Sequence, residues 1–119
     1  MAKRIMVVEE EPILVELLQE LLAFEGYEVL LPQSPDTLVA DLRNEHPQAV
    51  LMDVNLDGVS GLDLLDQIRA DDDLKDIFVV LSSGLDYERE SKDRGADVFL
   101  MKPYMPDDLV KLLPAETAL

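Results

Sequence analysis

Ala49-Val50-Leu51-Met52-Asp53-Val54-Asn55-Leu56-Asp57-Gly58 is the stretch on which the fold turns. Four apolar residues run without alternation into Asp53, and the turn formers Asn55, Asp57 and Gly58 follow. So short an unbroken run, bounded by turn residues, fits a strand covered on both faces. A carboxylate at the end of a buried strand also marks a place to look for chemistry. In open parallel sheets, ligands bind beyond the carboxyl ends of the strands.

Outward in both directions the same pattern repeats. Residues 4–8 are a β-branched apolar run that ends in Glu9-Glu10-Glu11. Residues 27–31 read as a second strand, closed by Pro32. Residues 77–81 are a fourth run ending in Ser82-Ser83-Gly84, and residues 98–101 a fifth ending in Lys102-Pro103. Between them the period changes to that of a helix. After Pro12, tolerated in a first helical turn, Leu14, Leu17, Leu18, Leu21 and Leu22 line one face, and Gly26 stops the helix. Ser34-Pro35-Asp36 is expected to start the next helix, with Ser34 as N-cap and Leu38, Val39 and Leu42 buried. Gly61, Leu64, Leu65 and Ile68 mark a third, and Met105, Leu109, Leu112 and Leu113 a last one.

Five apolar strands alternating with helices imply a parallel sheet covered on both faces, a three-layer α/β sandwich with right-handed crossovers. One crossover is weak. Seven of the nine residues 86–94 are charged, and Tyr87 is the only large apolar one. A fourth helix there is expected to be short or mobile, and the same run also fits a solvated face.

The 119 residues suit one domain, 1–119, with no linker or repeat. Absence of cysteine removes thiol catalysis, zinc-thiolate sites and disulfides. No apolar run approaches the about 18 residues a membrane span needs, and Ile5-Met6-Val7-Val8 is too short a stretch to read as a signal peptide. A cytoplasmic location is the default. The formal charge of -16 would repel nucleic acid and anionic membrane alike. Most of that excess is the acidic surface that keeps small proteins dispersed.

Glu9, Glu10, Glu11, Asp53, Ser82, Ser83 and Lys102 all fall at strand ends and so converge on one rim. Crowded carboxylates repel and call for a cation. Glu9, Glu10 and Asp53 against Lys102 leave two negative charges, the complement of one Mg²⁺, which hard oxygen ligands favour over zinc or copper. An aspartate beside Mg²⁺, a lysine and the Ser82 hydroxyl is suited to accept a phosphoryl group. Singly, each acidic residue fits helix capping as well, Glu11 included.

Four segments carry a resemblance. They are Ile5-Met6-Val7-Val8-Glu9-Glu10-Glu11-Pro12, the run from Val50 through Asp53 to Gly61, Val79-Val80-Leu81-Ser82-Ser83-Gly84, and Gly95-Ala96-Asp97-Val98-Phe99-Leu100-Met101-Lys102-Pro103-Tyr104. In that order and spacing the chain resembles the receiver domain of two-component response regulators over essentially its whole length. The resemblance implies a flavodoxin-like strand order, 2-1-3-4-5. It implies that Asp53 is the phosphoacceptor, served by a sensor histidine kinase or phosphotransfer protein. Glu9 and Glu10 would hold Mg²⁺ with Asp53 and the backbone carbonyl of Asn55. Ser82 and Lys102 would bind the phosphoryl group, and Phe99 would be the aromatic switch coupled to Ser82, though Phe99 also reads as plain core. Lys102-Pro103 would be cis. With nothing after Leu119, the output is expected to be contact with a downstream protein, from a monomer or weak dimer. His46 reads as a surface loop residue.

Departures from the family lie at Glu10, where Asp is usual, at Asp57 for Pro, at Ser60 for Asp, and in a stretch from Ser82 to Gly95 about two residues short. Because Mg²⁺ demands near-ideal octahedral geometry, the methylene that Glu10 adds is expected to push its carboxylate out of place or force water mediation. An alternative therefore stays open, a receiver-like protein-interaction module that works without phosphorylation. Enzyme chemistry fits less well. An aspartyl-nucleophile phosphohydrolase wants an acid where Asn55 stands, and Glu9-Glu10-Glu11-Pro12 would repel a flavin phosphate.

Overall fold

The computed structural model describes residues 3–113; of the expected 1–119 domain, residues 1–2 and 114–119 lie outside the described residues. Five parallel strands form one sheet: β1 (Lys3–Val8), β2 (Tyr27–Leu30), β3 (Ala49–Asp53), β4 (Phe78–Ser83) and β5 (Val98–Met101). Their order is 2-1-3-4-5, with β3 central and β2 and β5 at the edges. Helices α1 (Pro12–Phe24), α2 (Leu38–Glu45), α3 (Gly61–Ala70), α4 (Glu88–Asp93) and α5 (Pro106–Leu112) alternate with them. Asn55–Leu56 and Val59–Ser60 form a small antiparallel hairpin between β3 and α3.

Strand periodicity divides the core in two. Ile5, Val7, Leu51 and Val80 face one way and pack with Leu18 and Leu22 of α1 and Leu109 of α5. Met6, Val8, Val50, Met52, Val79 and Leu81 face the other way, onto Leu38 and Leu42 of α2 and Leu65 and Ile68 of α3. The unbroken apolar runs are therefore two alternating sets, each with its own helical cover.

Several boundaries differ from the sequence-based expectation. β4 starts at Phe78 and runs on through Ser82 and Ser83, because the ladder continues past Leu81: Asp53 pairs with Ser82, and Ser83 with Met101. Both serines are thus buried strand residues, not loop residues. The chain after Ser34 first makes a single 3₁₀ turn, Pro35–Thr37, and α2 begins only at Leu38. Thr37 Oγ1 accepts the Ser34 N–H at 3.2 Å and donates to Asp41 at 2.7 Å, which favours the tighter turn. Leu17 of α1 and Leu112 of α5 are exposed although they share the apolar spacing, and Met105 precedes α5 as its exposed N-cap. The charged crossover forms a helix of only six residues, with Ser91 its one buried side chain.

At the amino ends of the strands, Arg69 of α3 ties three segments together. Its guanidinium donates to the carbonyls of Lys75 at 2.7 Å, Ile77 at 2.8 Å and Gly95 at 2.9 Å, and to Asp97 at 3.0 Å. Asp97 in turn accepts the Val79 N–H at 2.8 Å. Among the described residues no helix is long and apolar enough to cross a membrane.

Candidate functional site

Asp53 closes β3 with its side chain 12% exposed, and Lys102 leaves β5 one strand beyond β4. A hydrogen bond from the Lys102 N–H to the Ser83 carbonyl, 2.8 Å, fixes where that lysine departs. The Lys102–Pro103 peptide is cis, as the resemblance implied. Lys102 Nζ reaches Asp53 Oδ2 at 2.8 Å and the two oxygens of Glu9 at 2.9 and 3.0 Å. The Glu9 side chain is almost wholly buried there, 3% exposed. Two carboxylates thus share one ammonium, and the trio keeps one negative charge.

Burial pulls the Lys102 pKa down, but the hydrogen bonds it donates to Asp53 and Glu9, and their charges, outweigh it and hold the ammonium above the ordinary lysine value. The Tyr104 phenol lies beside the same carboxylates. Burial first, then the charges of Glu9 and Asp53, pushes its pKa well up. Both groups hold their protons more firmly folded than unfolded, so their stabilisation is complete below pH about 10 and is lost as pH rises past it. Melting temperature is expected to be flat from neutrality to about pH 9 and to fall above pH 10. Thermal melts across that range check it, and Tyr104→Phe should make the fall shallower.

The Ser82 hydroxyl is fully buried beside Asp53 in the ladder and has no hydrogen-bond partner among the described residues. Such a group carries a desolvation cost until something bonds to it. Asn55 contributes twice: its N–H donates to Asp53 Oδ1 at 3.0 Å, and its carboxamide donates to Ser83 Oγ at 3.0 Å. Ser83 Oγ also accepts the Leu85 N–H at 3.1 Å, so one oxygen joins the loops after β3 and β4.

Gly61 opens α3 directly behind Asp53. Its N–H donates to the Val54 carbonyl at 2.7 Å, and a Cβ there would stand 2.4 Å from the Asp53 carbonyl oxygen. Only glycine permits that approach. In the sequence Gly61 stands in an apolar stripe and at the end of a resemblance segment, without this role. Tyr104 and the Ser83–Asn55 bond were likewise not singled out, since neither has a signal in local spacing.

Glu9, Asp53, Lys102 and Ser82 are therefore brought together. Glu10 is not part of that knot: its carboxylate is exposed, and Oε2 accepts the Asp57 N–H at 2.6 Å. Among the described residues no three acidic or histidine side chains already converge as a cation site. Phe99 is half-buried on β5, opposite Leu81 and packed against the α2–α3 core. His46 ends α2 on the surface in a left-handed conformation, φ 49°.

The sequence pattern of the response regulator receiver domain matches residues 5–114. The chain belongs to that family. A receiver is a signalling domain, not a catalytic enzyme, and its five-stranded sheet has the order expected here. Among relatives, the DNA-binding response regulator MtrA of Mycolicibacterium smegmatis is 30% identical over 110 residues, 92% of this chain and 48% of that protein. This receiver thus spans about half the length of the curated relatives it matches. The phosphorylated cyanobacterial phytochrome response regulator RcpA superposes with a TM-score of 0.78 at 28% identity, covering 94% of this chain and 89% of that one. The receiver domain of sensor histidine kinase PA1611 from Pseudomonas aeruginosa, which holds a magnesium ion in its active site cleft, gives 0.82 at 23%, covering 94% of each.

Proposed function

We propose that this receiver takes a phosphoryl group onto Asp53 from the phosphohistidine of a sensor kinase or phosphotransfer protein. One observation carries the assignment: Asp53 sits 2.8 Å from an ammonium and next in the ladder to an unpartnered buried hydroxyl. A carboxylate oxygen of Asp53 attacks phosphorus, the phosphorus–nitrogen bond breaks, and the imidazole keeps that electron pair. Transfer adds negative charge beside Asp53, so Lys102 follows it from the carboxylate to the phosphoryl oxygens. The Ser82 hydroxyl gains its missing partner in the same step. Its engagement is the switch assigned here, with Phe99 as the aromatic group that responds.

The donor set fits Mg²⁺. Glu9, Asp53 and the Asn55 carbonyl offer hard oxygens only, and the magnesium-holding P. aeruginosa receiver shares the fold. When bound, the ion would neutralise charge on the transferring group. Glu10 is the fourth assigned ligand and needs to turn from Asp57 to serve.

A phosphohistidine donor implies a cytoplasmic setting, and the output assigned is contact with a downstream protein, from a monomer or weak dimer. Incubation of the chain with acetyl phosphate and Mg²⁺ tests the reading. One phosphoryl group per chain is expected by intact-mass spectrometry, with its loss on treatment with hydroxylamine, as for an acyl phosphate. No adduct would select the second reading, an interaction module independent of phosphorylation, which the engagement of Glu10 with Asp57 favours.

A further inference from the structure

We propose that the Asp57 amide is a latch on Glu10, and that a divalent cation binds this receiver only by opening it. The inference rests on the metal reading above and concerns how that site is governed.

The latch joins two loops 47 positions apart in sequence. Glu10 follows β1. Asp57 and Gly58 form the tip of the hairpin after β3, with Gly58 at φ 73°. The bond is short, 2.6 Å, as a charged acceptor makes it. It exists because of two residues together. Glutamate supplies the reach, and a residue other than proline supplies the N–H.

Charge says why the latch opposes the ion. The knot of Glu9, Asp53 and Lys102 carries one net negative charge, and Glu10 raises it to two. Only with Glu10 does the site complement a divalent cation. Mg²⁺ also demands near-ideal octahedral geometry, so a carboxylate held toward the hairpin tip is not where the ion needs it. The apparent affinity is the intrinsic one scaled by the fraction of molecules with Glu10 free. A latch favoured by a few to one therefore weakens binding about three- to tenfold. Opening leaves the Asp57 N–H to water, which its exposed position permits. Cation binding thereby loosens the hairpin tip.

The test is amide NMR of the uniformly ¹⁵N-labelled chain during titration with MgCl₂. In the metal-free wild type, the Asp57 amide is expected far downfield and slow to exchange. Mg²⁺ should move it upfield and speed its exchange, in step with the shifts at Glu9, Asp53 and Asn55. Glu10→Asp, one methylene too short to hold the latch, should show the upfield Asp57 amide without metal and bind Mg²⁺ about three- to tenfold more tightly than wild type. Glu10→Gln should bind less tightly than wild type, since it gives up the charge the ion needs. The proposal is overturned if the Asp57 amide stays downfield at saturating Mg²⁺, or if Glu10→Asp binds no more tightly. If Glu9, Asp53 and Asn55 do not respond to Mg²⁺ at all, the metal reading itself fails and takes the latch's role with it. Response at those three without response at Asp57 fails the latch alone.

Discussion

Asp53→Asn is expected to lose the phosphoryl adduct completely while the fold survives. The amide has no anionic oxygen to attack phosphorus, and the nearby carboxylates cannot substitute. Glu9 is buried and bonded to Lys102, and Glu10 is engaged at the hairpin. Structurally the exchange is mild. An asparagine Oδ1 still accepts from Lys102 or from the Asn55 N–H, and Glu9 keeps Lys102 from being a buried charge without a partner. The stability change should stay within about 2 kcal/mol in either direction, because removing one member of a trio relieves repulsion from Glu9 as it loses attraction to Lys102. Intact-mass measurement after acetyl phosphate treatment, paired with a thermal melt of the same sample, separates loss of the nucleophile from loss of the fold. A persisting adduct would move the phosphoacceptor elsewhere.

Gly61→Ala should have the largest effect on stability. The new Cβ would meet the Asp53 carbonyl oxygen at 2.4 Å, the Val54 Cα at 2.9 Å and the Asp53 carbonyl carbon at 3.1 Å. All three are backbone atoms, so no rotamer change relieves the contact. α3 and the end of β3 must part, which also stretches the 2.7 Å bond from the Gly61 N–H to Val54. Overpacking plus that bond comes to about 3 kcal/mol, or on the order of 10 °C in melting temperature for a domain of this size. Since the atom struck belongs to Asp53, phosphoryl uptake should slow too, even at temperatures where the variant is folded. Circular dichroism melts and a labelling time course check both. A melting temperature within 2 °C of wild type, by the same scale, would mean the strand end yields freely.

The sheet was legible because its information is local. Each strand is a run of residues such as 49–52, and each run is closed by a turn former or a polar residue. The charged crossover was legible for the same reason, since a segment with almost nothing apolar builds little helix, and α4 is six residues long. Ends were less legible. Ser82 and Ser83 read as loop because they are polar, yet strand pairing with Asp53 and Met101 keeps them in β4. Pairing is a property of two segments at once.

Within the site, Glu9, Asp53, Ser82 and Lys102 were found because all stand at strand ends, and topology gathers strand ends. What escaped depends on single distances. That Glu10 meets a backbone amide depends on where the hairpin tip holds the Asp57 N–H. Gly61 is unremarkable in sequence until the Asp53 carbonyl is placed against it.

The Arg69 guanidinium has a mechanical consequence. Its carbonyl partners Ile77 and Gly95 precede β4 and β5, at the pole of the sheet away from Asp53. Gly95 lies just past the end of α4, so that helix is moored at its tail. Its head hangs from Leu85, and Leu85 is held by the Ser83 oxygen that also holds Asn55. A short rod held at both ends in this way links the amino-terminal pole of the sheet to the oxygen that Asn55 also bonds, beside Asp53.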